Sequence, residues 1–173
     1  LNLAPTASTT TALALGDALA VACLEARGFG PEDFARSHPG GALGRRLLTH
    51  VSDVMRTGKD VPIVPVTASV TEALVEITRK SMGMTVVVDG DRVVGIFTDG
   101  DLRRLIEREG DIRNLTVVAG MTRNPLHIGP DALATEAAAR MDDNRKNQLL
   151  VLDAAGRLVG ALHTHDLMAA KVL

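Results

Sequence analysis

The sequence predicts an α/β (α+β) fold in which residues 51–173 form two tandem βαββα repeats. One observation is that every predicted element of residues 51–110 recurs in the same order about 65 residues later. Another is that the predicted strands are almost wholly apolar, which indicates that both faces of each sheet are covered. Helices on one face and the partner repeat on the other would provide this cover.

The composition is that of a globular protein with one solid core or two small ones. The chain has 173 residues, of which 46% are hydrophobic and 23% are charged. The net charge is −2 and basic residues alternate with acidic ones, so no basic face large enough for a nucleic acid is predicted. With three Phe and no Trp or Tyr, surfaces for stacking bases are also scarce.

The sequence also favours a cytoplasmic protein without a membrane partner. No apolar stretch is judged to reach the roughly 20 residues that span a bilayer, and the start lacks the pattern of a signal peptide. The single cysteine, Cys23, cannot form an internal disulfide, which suits a reducing compartment. Because it lies among apolar helix residues, Cys23 is expected to be a small buried side chain.

Residues 1–48 are predicted to be helical. Apolar residues recur at helical spacing from about Thr9 to Arg27, a Ser/Thr cluster offers an N-cap, and Gly28 offers the stop. A short helix should begin near Pro31, and another should follow near Leu43. The absence of an initiator Met suggests a cut inside a larger protein. Such a segment must pack on a missing part of that protein or on another copy.

Residues 51–110 and 111–173 each contain the same series of elements. In the first repeat, Val54 and Met55 precede predicted elements at 61–66, 70–81, 85–88, 93–97 and 98–102. In the second, Met121 precedes elements at 126–128, 132–141, 149–152, 158–162 and 163–167. Agreement at this many positions indicates a duplication.

Local signals support these elements. Ser69 and Glu72 are spaced as a capping box for the first long helix, and Asp131 can cap its counterpart. Asp89 and Gly90 separate two β-branched runs, which predicts a tight hairpin, whereas the second repeat has a longer loop that contains glycine.

Four residues near the end of the first repeat have the chemistry of a phosphate and ribose site. Thr98 would begin a helix, where free N–H groups favour a phosphate, and Asp101 could accept hydrogen bonds from ribose hydroxyls. Arg103 and Arg104 would add positive charge. The alternative is that Thr98 and Asp101 form a capping pair and that no ligand binds.

Further polar residues lie at equivalent strand ends. Thr85, Asn147 and Gln148 could contact a bound base, although strand-end polar residues are equally plausible. His163 and His165 suggest a metal, but their spacing at a strand-to-helix junction should point the rings apart and no Cys or acid cluster accompanies them. No metal site is predicted.

The pattern Gly-φ-φ-Thr-x-x-Asp-Leu at residues 95–102 resembles the cystathionine-β-synthase-type (CBS) domain pair. The resemblance covers about 120 residues and implies two repeats about a pseudo-twofold axis with clefts for nucleotides. In the second repeat, residues 160–167 keep Asp166 but place His163 where threonine is usual. The two clefts are therefore expected to differ, with His163 and Asp166 as the second set of ligand contacts.

Three strings before the repeats, at residues 4–10, 16–20 and 37–45, are similar to the end of a sugar isomerase (SIS) domain. The longest, Ser-His-Pro-Gly-Gly-Ala-Leu-Gly-Arg, resembles the D-arabinose 5-phosphate isomerase family, which interconverts ribulose 5-phosphate and arabinose 5-phosphate for Kdo and lipopolysaccharide biosynthesis. That resemblance implies that residues 1–48 are a C-terminal SIS fragment and that His38 is an active-site residue. Imidazole suits the proton transfer of aldose–ketose exchange.

Three functions follow as hypotheses. In the first, the CBS pair binds a nucleotide such as AMP or ATP, or a nucleotide-sugar such as CMP-Kdo, and regulates an attached isomerase that needs no cofactor. In the second, the repeats only hold subunits together in a homodimer or homotetramer. In the third, the chain keeps isomerase activity, which we do not expect because no phosphate-holding loop or second acid–base residue is recognised.

Overall fold

The computed structural model describes residues 4–30, 33–34, 37 and 48–173. Contacts between residues divide the chain into two compact units, residues 1–48 and residues 49–173.

The first unit contains one long helix, α1, at Ala7–Ala26. The helix predicted for this segment is confirmed, although its start differs. Thr6 occupies the N-cap position without a side-chain capping bond. The Thr9 hydroxyl instead donates to the Pro5 carbonyl oxygen at 2.6 Å, because a threonine inside a helix can bond back to the preceding turn. Gly28, with φ +65°, ends the helix as predicted.

The apolar side chains of α1 are exposed within this unit, where none of its residues is buried. The exposed fraction of Leu13 is 70%, and Cys23 is exposed, so the prediction of a buried cysteine is wrong. By length and composition α1 could also span a membrane, which corrects the prediction that no stretch is long enough. The same two criteria are met by a helix that packs on protein.

The second unit contains both repeats, and the predicted tandem α/β architecture is confirmed. A short helix, α2, at Val51–Val54 and a 3-10 turn at Gly58–Asp60 precede the first repeat. That repeat comprises β1 (Ile63–Pro65), α3 (Val70–Lys80), β2 (Met84–Asp89), β3 (Arg92–Thr98) and α4 (Asp99–Glu109). After a 3-10 turn at Val117–Ala119, the second repeat comprises β4 (His127–Ile128), α5 (Ala134–Asp143), β5 (Gln148–Leu152), β6 (Leu158–His163) and α6 (Thr164–Ala169).

The two three-stranded sheets have the same topology. In each, the central strand runs parallel to the first strand and antiparallel to the third, in the orders β1-β2-β3 and β4-β5-β6. Thr98 pairs with Met84 in the first sheet, and His163 pairs with Gln148 in the second. These pairs identify equivalent positions in the two repeats.

The segment that precedes each repeat pairs with the sheet of the other repeat. Arg56 forms an isolated bridge with Ala161, and Thr122 forms the equivalent bridge with Ile96. The core follows the same exchange, because Val51 packs in the hydrophobic cluster of the second repeat. Each repeat is therefore held to the other by the segment that precedes it.

A separate hydrophobic cluster joins the two sheets. It contains apolar residues of both repeats: Val61, Met82, Met84, Val86, Leu150 and Ala161. Burial of each Val, Leu or Met side chain in this cluster contributes roughly 1.5–3 kcal/mol relative to exposure. This cluster explains why the strands read as almost continuously apolar.

The helices that follow the first strand of each repeat, α3 and α5, begin differently. Ser69 and Glu72 form the predicted capping box of α3, with the Ser69 N–H donating to Glu72 Oε2 at 2.7 Å. These hydrogen bonds hold the pKa of Glu72 below its usual value. The prediction that Asp131 caps α5 is wrong, because its N-cap is Leu133 and no side chain caps it.

Candidate functional site

A cleft of about 530 Å³ lies between the two repeats, and we call it the first cleft. Its volume is in the range of small-molecule sites, about 300–1,000 Å³. The start of α4, the segment before β4 and the loop between α5 and β5 form its walls. The lining residues are Gly83, Ile96, Thr98, Asp99, Gly100, Arg103, Arg104, Thr122, Asn124, Pro125, Leu126, Asn144, Arg145, Lys146, Asn147 and Gln148.

Thr98 and Asp101 form a capping box at the start of α4. The Thr98 N–H and hydroxyl donate to Asp101 Oδ2 at 2.9 and 2.7 Å. Asp101 Oδ1 accepts from Arg104 Nη2 at 2.7 Å and from the Thr122 hydroxyl at 2.8 Å. Only 3% of Asp101 is exposed, and it is not among the residues that line the cleft. The predicted capping pair is thus present, and a ribose hydroxyl could reach this carboxylate only by displacing an existing donor.

Positive charge dominates the first cleft. Arg103 and Arg104 line it as the sequence suggested, and Arg145 and Lys146 add two cations that the sequence did not indicate. Among residues 48–173, Arg104 is the one member of this group with an ion-pair partner, Asp101. Asp99 is the one carboxylate in the lining. The cleft can therefore neutralise several negative charges of a ligand.

Amide side chains of the second repeat also line the first cleft. Asn147 and Gln148 both reach the cleft, and Gln148 Nε2 donates to the Met82 carbonyl oxygen at 3.2 Å. Amides of this kind can both donate to and accept from a heterocyclic base. The polar run at 144–148, immediately before an apolar strand, was the available signal for this wall.

Thr85 does not reach the cleft, which corrects its selection as a base contact. Because His163 is equivalent to Thr98, Gln148 is equivalent to Met84, and the counterpart of Thr85 is the buried Leu149. Thr85 is itself fully buried, and its hydroxyl has no hydrogen-bond partner.

The equivalent region of the other repeat, which we call the second cleft, contains the side chain of Arg56. Arg56 Nε and Nη2 each lie 3.1 Å from Asp166 Oδ1, and Nη1 donates to the Lys80 carbonyl oxygen at 2.7 Å. Asp166 also accepts from the His163 N–H at 2.9 Å, which repeats the capping arrangement of Asp101. A concavity of about 390 Å³ lies outside, lined by Arg56, Asp60, Arg79 and Lys80.

His163 and His165 stack on each other, with ring centroids 5.0 Å apart and an angle of 5° between the rings. The prediction that the rings point apart is therefore wrong. His163 Nδ1 accepts a hydrogen bond from the His165 N–H at 3.0 Å. Burial of the ring, with a smaller contribution from His165, lowers the pKa of His163. Within the described residues, no group of three or more His, Cys, Asp or Glu side chains is arranged to hold a metal ion.

His38, the predicted active-site residue, lies outside the described residues.

Comparison with known sequences identifies relatives of both parts of the chain. A family model described as the CBS domain matches residues 51–108 and 111–172. The chain is 56% identical over 174 residues to arabinose 5-phosphate isomerase KdsD of Pseudomonas aeruginosa and 51% identical to that of Escherichia coli K12. These matches cover 100% of the chain and 53% of each relative, so the chain spans about half their length.

Solved structures share the paired-repeat fold. CBSX2 in complex with AMP is 28% identical with a TM-score of 0.61, and covers 70% of this chain and 95% of its own. The CBS-domain protein ATU1752 of Agrobacterium tumefaciens is 29% identical with a TM-score of 0.64, over 71% of this chain and 93% of its own.

Proposed function

The chain belongs to the CBS-domain family, and we propose that its paired repeats bind an anionic nucleotide or nucleotide-sugar and thereby regulate a D-arabinose 5-phosphate isomerase. The predicted resemblance to that isomerase family is confirmed by identities of 51–56% over the whole chain. The isomerase activity, its cytoplasmic location and its assembly as a homo-oligomer are part of the proposal. So is the division into an SIS fragment at 1–48 and CBS repeats at 51–110 and 111–173.

The observation that carries the proposal is the excess of positive charge in the first cleft. Arg103, Arg145 and Lys146 line it without an ion-pair partner among residues 48–173. Cations kept close together repel one another, and an anionic ligand relieves that repulsion. Phosphate groups suit arginine, because the guanidinium presents paired N–H donors that can bond to two oxygens at once.

A nucleotide or nucleotide-sugar fits the rest of the lining. Asn147 and Gln148 supply donors and acceptors for a base on one wall, while the cations are spread over both walls. CMP-Kdo carries a phosphate and a carboxylate and would use cations on both sides. AMP or ATP would use the same groups for phosphate alone, and the likeness to CBSX2, described as an AMP complex, supports that choice.

The exposed apolar surface of α1 supports the assignment of residues 1–48 to a larger domain. Leu13, Leu15 and Leu19 are between 58% and 70% exposed, which is costly for a surface helix in water. The remaining half of an isomerase would cover these side chains. We propose that His38 then acts as an acid–base residue in the intact enzyme.

Calorimetric titration tests the binding proposal. The chain is titrated with AMP, ATP, CMP and CMP-Kdo, and at least one should bind with an affinity that falls about tenfold or more in Arg103→Ala and Arg145→Ala. Arg113→Ala is the matched control, because Arg113 is exposed, pairs with Asp111 and lies outside the first cleft. Absence of heat and of thermal shift with all four compounds would favour the alternative, a structural module for subunit association.

The catalytic part is tested in the full-length parent enzyme. His38→Ala should abolish conversion of arabinose 5-phosphate to ribulose 5-phosphate while ligand binding by the repeats stays intact. Retained turnover would remove His38 from the active site. The present chain alone should show no conversion.

A further inference from the structure

The two clefts carry different residues at one equivalent position. The bridge between Thr122 and Ile96 corresponds to the bridge between Arg56 and Ala161, so Arg56 is the counterpart of Thr122. Both side chains donate to the capping aspartate of the neighbouring helix, Asp101 or Asp166. The arginine side chain is much longer than that of threonine, so Arg56 extends beyond the aspartate, where Thr122 does not.

The Arg56 side chain crosses the second cleft. Its Nε and Nη2 bond to Asp166 in the second repeat, and its Nη1 bonds to the Lys80 carbonyl oxygen at the end of α3 in the first repeat. Positive charge is favoured at the C-terminal end of a helix. The guanidinium thus has partners on both walls, and only 23% of the side chain is exposed.

The concavity outside Arg56 does not extend to the inner wall of the second cleft, which is formed by β6 and the start of α6. In the first cleft, Ile96, Thr98 and Asp99 contribute to the lining. Their counterparts, Ala161, His163 and Thr164, do not line the outer concavity. A molecule in that concavity would therefore not reach the start of α6 as a ligand of the first cleft reaches the start of α4.

We infer that Arg56 is an internal occupant of the second cleft, which closes it to nucleotides and leaves one binding site per chain. The guanidinium occupies the space in which a ligand of the second cleft would contact the inner wall. The inference concerns a different cleft from the proposed function and holds whether or not the first cleft binds a nucleotide.

Stoichiometry of AMP binding tests the inference. Equilibrium dialysis at saturating AMP compares the wild-type chain with Arg56→Thr and with the double variant Arg56→Thr, His163→Thr, which places the residues of the first cleft at both positions. We expect one additional AMP per chain in at least the double variant. Arg79→Thr, which removes a charge from the same concavity, is the matched control and should add none.

Two results would overturn the inference. One is an unchanged stoichiometry in both variants while their circular dichroism shows folded protein, and the other is two AMP molecules bound by the wild type. If the variants do not fold, Arg56→Gln replaces them, because it keeps hydrogen-bonding capacity with a shorter side chain, and the same gain is required. A wild type that binds no AMP together with a variant that binds one would support the inference while contradicting AMP binding in the first cleft.

Discussion

The first and second clefts are formed by equivalent backbone elements of the two repeats. They differ in the side chain that donates a hydrogen bond to the capping aspartate from the segment preceding the other repeat. Asp101 accepts from the short side chain of Thr122, and an open, cationic space lies next to it. Asp166 accepts from Arg56, whose guanidinium fills the corresponding space. Two repeats of the same fold can thus keep the hydrogen bonds of their capping aspartates, while a single residue determines whether each cleft is open.

The repeats also differ in how their helices begin. The capping box of α3 has no side-chain counterpart at α5. By contrast, both sheets keep the same register and the same close approach to the exchanged segment. Packing between the repeats is therefore equally constrained on both sides, while the caps and the cleft residues differ.

The largest expected effect is on the packing that both repeats share. A Cβ at Gly95 would lie 2.7 Å from the Thr122 carbonyl oxygen, and one at Gly160 would lie 2.8 Å from the Arg56 carbonyl oxygen. Gly95→Ala and Gly160→Ala should each lower the free energy of unfolding by about 2–3 kcal/mol in urea titrations. Gly129→Ala, where a Cβ meets nothing within 4 Å, is the control. A cost similar to the control at either site would contradict the exchanged pairing.

The capping aspartates should differ in their contribution. Asp101→Ala leaves the N–H of Thr98 without its acceptor in a buried site, and we expect a loss of about 2 kcal/mol in the free energy of unfolding. Asp166→Ala should cost about 1 kcal/mol, because the side chain of Asp166 is 18% exposed whereas that of Asp101 is 3% exposed. Urea titration of both variants measures the difference.

Asp101→Ala also tests ligand binding by that carboxylate. A loss of nucleotide affinity, measured by calorimetry under conditions where the variant is folded, would support a ribose contact. Unaltered affinity would leave Asp101 with its capping role alone.

The helix caps provide a smaller contrast. Ser69→Ala should lower the free energy of unfolding by about 1 kcal/mol, because the backbone N–H of Glu72 loses its acceptor. Leu133→Ser places a capping hydroxyl at the uncapped start of α5 and should raise stability by up to about 1 kcal/mol. The two changes in the free energy of unfolding need not be equal in size. A lower free energy of unfolding for Leu133→Ser would contradict the interpretation that a side-chain cap would stabilise the start of α5.

The smallest expected difference is the pH dependence of stability at His163, whose counterpart in the first repeat, Thr98, does not titrate. Because burial lowers the pKa of folded His163 below 6.5, the unfolded chain binds more protons as the pH falls through that value. The contribution of His163 to the free energy of unfolding is therefore fully present above about pH 6.5. It is lost as the pH falls towards the pKa of His163 in the folded protein. Melting temperatures between about pH 7.5 and about pH 5.5 should fall more steeply for the wild type than for His163→Thr. Parallel curves would contradict this role of His163.

The fold could be predicted because its signals are local and occur twice. The apolar strands, the capping box at Ser69 and the turn at Gly90 each depend on residues close together in the chain. The role of Arg56 could not be predicted in this way, because its partner Asp166 is 110 residues away. Similarly, Arg145 and Lys146 join the site through packing of one repeat on the other.

Incorrect predictions have equally specific causes. Asp131 was two residues too early to cap α5, because the helix begins after Leu133. Thr85 lies near a strand end in the sequence, as Gln148 does, whereas the register places Thr85 one residue further into the sheet. Side-chain spacing alone also failed to predict the stacking of His163 on His165.

We propose that the first cleft is the ligand site and infer that the second cleft is closed. Crystals of the wild-type chain grown with CMP-Kdo, and separately with AMP, provide the most direct measurement. We predict ligand density against Arg103 and Arg145 in at least one of the two structures, with Arg56 still paired with Asp166. Density for either compound in the second cleft, or an empty first cleft in both crystals at saturating ligand, would contradict it.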